Sequence, residues 1–188
     1  MPVRFLVLWL ALALCACVGG ERVKLDARSP PPAESTPPKP VAVSVSDDRE
    51  EVRTGEKKQW YLGEAPNGDR ELSNHQLVPL HAQLRVDLTD ELKSLGFDPV
   101  LESDVRKLEV SIREWRFDAA AGVLRYRIEA RVLDHDEGAV LAQSMLQENL
   151  AIGEESGKKM KTALGRAYDV TVHSIVRDNA TVLAALRR

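Results

Sequence analysis

The chain has 188 residues, a formal net charge of −3 at pH 7 and 44% hydrophobic residues. This length and composition suit one ordinary globular domain with a packed core, and the nearly neutral charge argues against a partner made of nucleic acid. Both cysteines, Cys15 and Cys17, stand near the start of the sequence. The rest of the chain therefore has no residue for a disulfide, a thiol nucleophile or a cysteine-based metal site.

The beginning of the chain has the order of a bacterial lipoprotein signal peptide. A positively charged start precedes an apolar run over residues 5–14, which is too short to span a bilayer as a mature helix. Cleavage before Cys17 would leave the small Ala16 beside the cut, where the signal peptidase needs a small side chain, whereas cleavage before Cys15 would leave a bulky leucine there. We therefore predict removal of residues 1–16 and lipidation of Cys17. An ordinary secretory signal followed by an unmodified thiol is the alternative.

Lipidation of Cys17 predicts where the protein resides. Two or more acyl chains hold a protein on a bilayer almost permanently, because each buried methylene contributes about 0.8 kcal/mol. The next residue is Val18 rather than aspartate, which favours the outer membrane under the bacterial lipoprotein sorting rule. The predicted location is the outer membrane, facing the periplasm, with the membrane as a partner through the lipid.

Residues 17–40 are predicted to comprise the lipidated cysteine and a tether. Six of the ten prolines lie between Pro30 and Pro40. Such a segment favours the extended polyproline II form, which makes a semi-stiff spacer that can hold a domain away from the membrane. Within this range, residues 21–26 alternate weakly and could add an edge strand.

Residues 41–188 are predicted to form a single domain that begins with a strand. Residues 41–46 alternate with a period of two, as in a half-buried strand. Asp47 and Arg49 follow, and we predict a structural ion pair that fastens the loop to the strand, with a binding role as the alternative. Further on, Trp60 begins a short apolar segment that is predicted to pack on the core as a strand or loop. An exposed aromatic anchor for a partner is the alternative for this segment.

An amphipathic helix is predicted next. Leucines recur at three- and four-residue spacing over residues 77–95 and form one apolar stripe. Pro79 suits the first turn of this helix, and Gly96 is a typical stop after its last turn. The opposite, polar face carries charged residues that include Asp87 and Glu91.

Three strands are predicted over residues 108–152. Apolar and charged residues alternate there, but the alternation slips after Arg113, so we predict a bulge at residues 113–114. Residues 118–122 are predicted to form a hairpin turn. One side of this sheet would be apolar and the other charged, as expected when helices cover a single side of an antiparallel meander.

A final long helix is predicted over residues 157–186, with Ser156 as its cap. The resulting order is β-α-β-β-β-α, with the option of an extra short strand around Trp60. The predicted fold class is α+β, a two-layer sandwich in which two helices pack on one face of an antiparallel sheet.

Four sequence features occur together in this order. They are a Val-rich first strand ending in Asp47-x-Arg49, a helix closing as Leu95-Gly96-Phe97, a hairpin strand from Gly122 to Ile128, and an acidic C-terminal helix around Asp169 to Asp178. In this order and spacing, residues 41–188 and the signal sequence resemble the YajG family of proteobacterial lipoproteins. None of the features is a catalytic motif, so the resemblance implies an envelope lipoprotein and no activity.

The charged side of the predicted sheet carries our candidate partner surface. Two acids, Glu109 and Glu129, lie among its basic residues and could simply pair with them. Together with Trp60, the candidate surface consists of Arg113, Arg125, Arg127 and Arg131.

No catalytic signature occurs in the sequence. It contains no nucleophile elbow, phosphate-binding loop, dinucleotide fingerprint or His-Glu-x-x-His pair. The densest group of metal-ligating residues, 134–137, lies in a tight hairpin whose neighbouring side chains point in different directions, so no metal site is predicted. We predict no cofactor and no enzymatic activity.

Three functional hypotheses of different class follow, in decreasing order of support. The first is a non-enzymatic accessory lipoprotein that docks on an envelope protein complex. The second is a carrier or sensor of a lipid or cell-wall fragment, which needs a cavity between helices and sheet lined by residues such as Trp115 and Tyr126. The third is an envelope hydrolase, which needs carboxylates that converge in a cleft.

Overall fold

The computed structural model of the protein describes residues 21–25, 37–65, 71–101, 104–135, 138–153 and 157–188. The predicted signal peptide, the lipidation site Cys17 and the predicted cap Ser156 lie outside these ranges. The elements in chain order are β1 Glu21–Val23, β2 Lys39–Asp47, α1 Glu50–Arg53, β3 Tyr61–Glu64, β4 Glu71–Asn74, a 3-10 helix His75–Leu77, α2 Leu80–Ser94, β5 Phe97–Val100, β6 Lys107–Asp118, β7 Val123–Leu133, β8 Val140–Ala151, α3 Lys158–Val176 and α4 Ala180–Arg187.

The strands form one mixed sheet. As predicted, β6, β7 and β8 pair as an antiparallel meander, with a tight turn between β6 and β7. However, β2 runs parallel to both β5 and β6, and β1 runs parallel to β4. The prediction of a purely antiparallel sheet is therefore wrong. The physical reason is connectivity, because α1, β3, β4 and α2 separate β2 from its partners and return the chain in the same direction.

The sheet divides at β6. One edge of β6 pairs with β7 along its whole length, while the other edge pairs first with β2, over residues 107–112, and then with β3 at Phe117. Between these two partners the register of β6 shifts at Arg113, which confirms the predicted bulge. We use the term fork for the point along this edge of β6 where the pairing partner changes from β2 to β3.

Helix α2 is present where the spacing of the leucines predicts an amphipathic helix. It begins after Pro79 and ends shortly before Gly96, whose φ of +85° suits glycine. Residues such as Leu88 carry its apolar stripe into the core. Its polar side is not open to solvent throughout, because Asp87 and Glu91 are only 4% and 0% exposed.

The C-terminal region forms two helices rather than the single one predicted. α3 ends at Val176 and α4 begins at Ala180, where the Asn179 side chain accepts a hydrogen bond from the Val182 N–H. The break allows α4 to pack against β7 and β8, whereas α3 packs against α2 and β1. Helices and sheet share one hydrophobic core. The mixed α+β class is therefore confirmed, while the predicted β-α-β-β-β-α order is wrong.

Strand β1 lies within residues 17–40, the range predicted as a tether. It pairs with β4 at one end of the sheet, in agreement with the predicted option of an edge strand. Val23 and Leu25 are 0% and 4% exposed and belong to the core. Between them, the Lys24 carbonyl lies against α3, so close that a Cβ on Gly165 would stand 3.3 Å from its oxygen. The packed part of the protein therefore includes residues that precede the proline-rich run.

Candidate functional site

The side of the sheet that faces away from the core is polar, and we call it the open face. Along β6 and β7, buried residues such as Trp115 and Tyr126 alternate with polar residues whose side chains point the other way. The antiparallel register sets these polar residues side by side across the two strands. On β6 and β7 the open face comprises Lys107, Glu109, Ser111, Arg113, Glu114, Arg116, Arg125, Arg127, Glu129 and Arg131.

Arg113, which stands at the bulge, connects three elements of the open face. Its guanidinium lies 3.1 Å from the Asp48 carboxylate, just after β2, and 2.8 Å from the Glu129 carboxylate on β7. The hydrogen bond to Glu129 raises the pKa of Arg113 above its ordinary value. The Gln143 side chain donates to the other oxygen of Glu129, at 2.9 Å, and so brings β8 into the same network. The charge of Arg113 is compensated within the protein.

Two further arginines of the predicted patch are also paired. Arg131 lies 3.1 Å from Glu109 across the β6–β7 pair. Arg125 lies 3.2 Å from Asp118 at the hairpin end of the same two strands. The predicted basic patch is therefore largely an alternating field of charges, which is one of the two outcomes that the sequence left open.

A surface pocket of about 370 Å³ opens on the open face beside the fork. α1 and the loop after it form one wall, β3 forms the end, and β6 and β7 form the floor. Except for Tyr61, all the lining residues carry charged side chains, which suit a charged or hydrogen-bonding ligand better than an apolar one. The lining residues are Glu50, Glu51, Glu56, Lys57, Tyr61, Glu64, Arg113, Glu114, Arg116 and Arg127.

Arg116 and Arg127 are the pocket cations that take part in no ion pair within the part of the chain that the structure describes, and both are exposed. In the β6–β7 register Arg127 stands opposite Glu114, whereas Arg116 stands opposite another cation, Arg125. Like charges that face each other across a strand pair destabilise it, so an acidic group bound beside Arg116 would relieve this repulsion, although five glutamates also line the pocket. Arg127 was predicted from the sequence as part of the candidate surface, but Arg116 was not. Arg116 lies beyond the bulge, between the core residues Trp115 and Phe117, and this position was the signal that could have revealed it.

Lys57 lies at the rim of the pocket. Its ammonium lies 2.9 Å from the Glu71 carboxylate and 4.8 Å from the centre of the Tyr61 ring. The hydrogen bond to Glu71 raises the pKa of Lys57, and burial raises the pKa of the Tyr61 phenol. Because both pKa values move upward, the rim keeps the same charges at neutral and moderately alkaline pH.

Trp60 stands immediately before β3 and is half-buried. Its backbone carbonyl accepts a hydrogen bond of 2.9 Å from the Asn74 N–H. The next two residues, Tyr61 and Leu62, are each 2% exposed and lie in β3. The short strand offered by the sequence is present, and Trp60 adjoins the pocket through its neighbour Tyr61.

Asp47 and Arg49 meet at the fork. Arg49 is 0% exposed, and its Nε and Nη2 donate to the two carboxylate oxygens of Asp47 at 2.8 and 2.7 Å. Its Nη1 donates to the carbonyls of Tyr61 and Trp115, at 2.6 and 3.4 Å. Nη2 also donates to the Gln59 carbonyl, at 3.2 Å. All five N–H donors of the guanidinium are thus directed at acceptors of the protein, and none remains for a ligand.

A second polar cluster lies between α2 and α3, inside the protein. Glu91 accepts a hydrogen bond of 2.5 Å from Arg177 Nε, and its other oxygen lies 3.5 Å from His173 Nε2. Asp87 accepts a hydrogen bond of 2.6 Å from the Tyr168 hydroxyl. The partners on α3 explain why two acids of α2 are buried, which the α2 sequence by itself does not show.

Three aromatic rings fill the space between α3 and the sheet. Trp115 stacks on Tyr126 with 5.8 Å between ring centres, and Tyr168 meets Trp115 edge-on at 5.7 Å. The hypothesis of a carrier requires an open cavity lined by Trp115 and Tyr126. At that place the structure has packed rings instead.

Within the described ranges, no group of three or more His, Cys, Asp or Glu side chains is arranged to hold a metal ion. None of the helices described there combines the length and the apolar character needed to cross a bilayer.

No protein-family model matches the chain, and no curated protein matches it. Solved structures do share its fold. Protein XCC0632 from Xanthomonas campestris, assigned to DUF330, has 13% identity and a TM-score of 0.61, over 88% of this chain and 97% of that one. An uncharacterised protein has 15% identity and a TM-score of 0.51, over 84% and 99% of the two chains.

A looser likeness is to PelC from Paraburkholderia phytofirmans, whose crystals contain a dodecamer. It has 13% identity and a TM-score of 0.45, over 79% of this chain and 91% of that one. At such identities the comparison with XCC0632 concerns the fold alone. The resemblance to the YajG family stays a prediction from the sequence.

Proposed function

We propose that this protein is a non-enzymatic accessory lipoprotein of the bacterial cell envelope. It is attached to the outer membrane through lipidated Cys17 and faces the periplasm. Its partner is a protein of an envelope complex, which it binds through the open face. The signal sequence supports the location, and the surface chemistry of the open face supports the binding role.

The observation that carries the proposal is the pair Arg116 and Arg127 in the pocket beside the fork. Both are exposed, and both stand on strands that are paired along their whole length, so their backbones are held in place. Arginine is enriched at protein interfaces, because its planar fork binds carboxylates at two points. We therefore expect an acidic segment of the partner to enter the pocket, with Trp60 as an adjoining contact.

A carrier of a lipid or cell-wall fragment is the second candidate. The rings of Trp115, Tyr126 and Tyr168 occupy the space that such a ligand would need, so this function has less support. Hydrolysis of an envelope polymer is the third candidate, because glutamates share the pocket with the arginines.

The proposal is tested by photocrosslinking in cells that express the full-length protein. A photoreactive amino acid replaces Arg127 or Trp60, and crosslinked bands are identified by mass spectrometry. We expect a discrete protein band from Trp60, a probe position that keeps both arginines, and loss of that band when Arg116→Glu is added. Probes at Val86 and Val170, which are exposed on the helices, serve as controls and should give no such band.

A charge-matched control separates docking from a general change in charge. Arg85→Glu reverses an exposed charge on α2 and should leave the Trp60 crosslink intact. Absence of any band from Arg127 and Trp60 in a protein with lipidated Cys17 would contradict docking through this face. Cleavage of purified peptidoglycan or glycan fragments by the protein would establish the hydrolase instead.

A further inference from the structure

Strand β1 occupies a position that bears on how the domain stands on the membrane. Val23 and Leu25 insert into the core, and the backbone between them lies against Gly165 of α3. β1 also pairs in parallel with β4, through residues 21–23. The chain is therefore fixed to the body of the protein from Glu21 onward, before the proline-rich run begins.

The distance from the anchor to this fixed point is short. Glu21 is the fourth residue after Cys17. Four residues span at most about 14 Å even when fully extended. If the proline-rich run were the spacer and residues 17–40 were all extended, the domain could stand about 70 Å from the membrane.

We propose that the β1 end of the domain rests directly on the bilayer surface, and that the proline-rich run joins β1 to β2 rather than lifting the domain. This inference rests on the lipidation of Cys17 in the proposed function. Its partner is the phospholipid headgroup layer that surrounds the anchor. The contact at β1 would then set the orientation of the open face relative to the membrane, which a long tether would average.

The charges near β1 suit this contact. Lys24, directly after β1, is exposed, and so is Arg166, which directly follows the glycine of α3 that meets the Lys24 carbonyl. Cations within reach of a headgroup layer are attracted to the phosphates of anionic lipids. The anchor and these two cations are therefore joined to the same part of the domain.

The test compares two equal insertions on either side of β1. The lipidated full-length protein, carrying a donor dye at the exposed position Thr162→Cys of α3, is placed in liposomes of phosphatidylethanolamine and phosphatidylglycerol with an acceptor dye on the headgroups. Cys17 is blocked by its lipid, so the new thiol is labelled specifically. A flexible Gly/Ser insert of about 20 residues adds about 25 Å of reach.

We expect the insert between residues 18 and 19 to lower energy transfer at least about twofold, because it lengthens the connection before β1. The same insert between residues 33 and 34 should leave transfer unchanged, because β1 still holds the domain near the anchor. The matched variant Val23→Asp should detach β1 and make transfer sensitive to the second insert.

The opposite pattern would overturn the inference. If the insert at residues 33 and 34 lowers transfer in the otherwise unchanged protein, the proline-rich run is the spacer and β1 does not hold the domain. Mass spectrometry of the Cys17 peptide shows separately whether the anchor is present, so failure of lipidation is distinguished from failure of this inference. Retention of the Trp60 crosslink reports on the docking function independently.

Discussion

Asp47 and Arg49 are separated by one residue in the chain and face each other inside the protein in a two-point ion pair. The same guanidinium donates to carbonyls of β3 and β6, so three strands meet at one side chain. Taking two charges out of water costs free energy that only complete pairing and hydrogen bonding offset. Removing either Asp47 or Arg49 would therefore leave the other as a buried charge without its counter-charge.

We expect Asp47→Asn to lower the free energy of unfolding by about 3–5 kcal/mol, because the charge of Arg49 stays buried without its counter-charge. Urea denaturation followed by circular dichroism measures the change. Asp90→Asn is the matched control, since Asp90 pairs with Lys93 on the exposed side of α2. There we expect a change of about 0–1 kcal/mol. Equal effects of the two substitutions would contradict the structural importance of the fork.

Gly63 lies where β3 pairs with β6, and it has no room for a side chain. A Cβ there would stand 2.4 Å from the Phe117 carbonyl oxygen, and the φ of Gly63 is +144°. We expect Gly63→Ala to destabilise the protein by more than about 2 kcal/mol, because strain and overlap add. Gly55 also has a positive φ but faces open space, so Gly55→Ala should cost about 1 kcal/mol. Denaturation midpoints of the two variants decide the point, and a smaller loss for Gly63→Ala would refute it.

The Tyr168 hydroxyl donates to a carboxylate oxygen of the buried Asp87. Removing it in Tyr168→Phe leaves the ring contacts intact but takes away a hydrogen bond to a charged group, which contributes about 1.5–3 kcal/mol. We expect a loss of unfolding free energy of that size. Tyr61→Phe is the control, because no hydrogen bond of the Tyr61 hydroxyl is present within the described structure, and its effect should stay within about 0.5 kcal/mol. Indistinguishable variants would show that the hydroxyl of Tyr168 does not stabilise the fold.

Burial raises the pKa of the Tyr61 and Tyr126 phenols above the ordinary value of 10.0. In the unfolded chain these groups lose their protons at lower pH than in the folded protein. The folded state then binds more protons, and its stability falls as pH rises above about 10. Phenolate absorbance should therefore appear at higher pH in the native protein than in urea. Coincident titration curves would contradict this expectation.

Local patterns predicted the elements that depend on neighbouring residues. The leucine spacing of α2 and the hairpin of β6 and β7 are short-range features, and the slip of the alternation after Arg113 revealed the bulge, because core residues changed parity there. The parallel pairing of β2 with β6 is different. Ser46 and Ser111 share a hydrogen bond although they are 65 residues apart, and no local pattern reports such a partner.

At the candidate site, too, local patterns did not reveal contacts between distant parts of the chain. The sequence placed Arg127 on the charged side of the sheet, and it offered pairing with Glu109 and Glu129 as one outcome for the patch. It did not show that Asp48 would meet Arg113, because these residues are neighbours only once β2 lies beside β6. It also did not show that α1 and its loop would close one side of a pocket, since that wall comes from a distant part of the chain.

The fork has a consequence for how the chain folds. β6, β7 and β8 pair through short connections, so their loops close at little entropic cost and can form early. β2 and β3 join the opposite edge of β6 from a distant part of the chain, and Arg49 must lose its water as they arrive. We therefore expect this edge of β6 to be the last to find its partners. Until then it is the place where nascent chains pair with one another and aggregate.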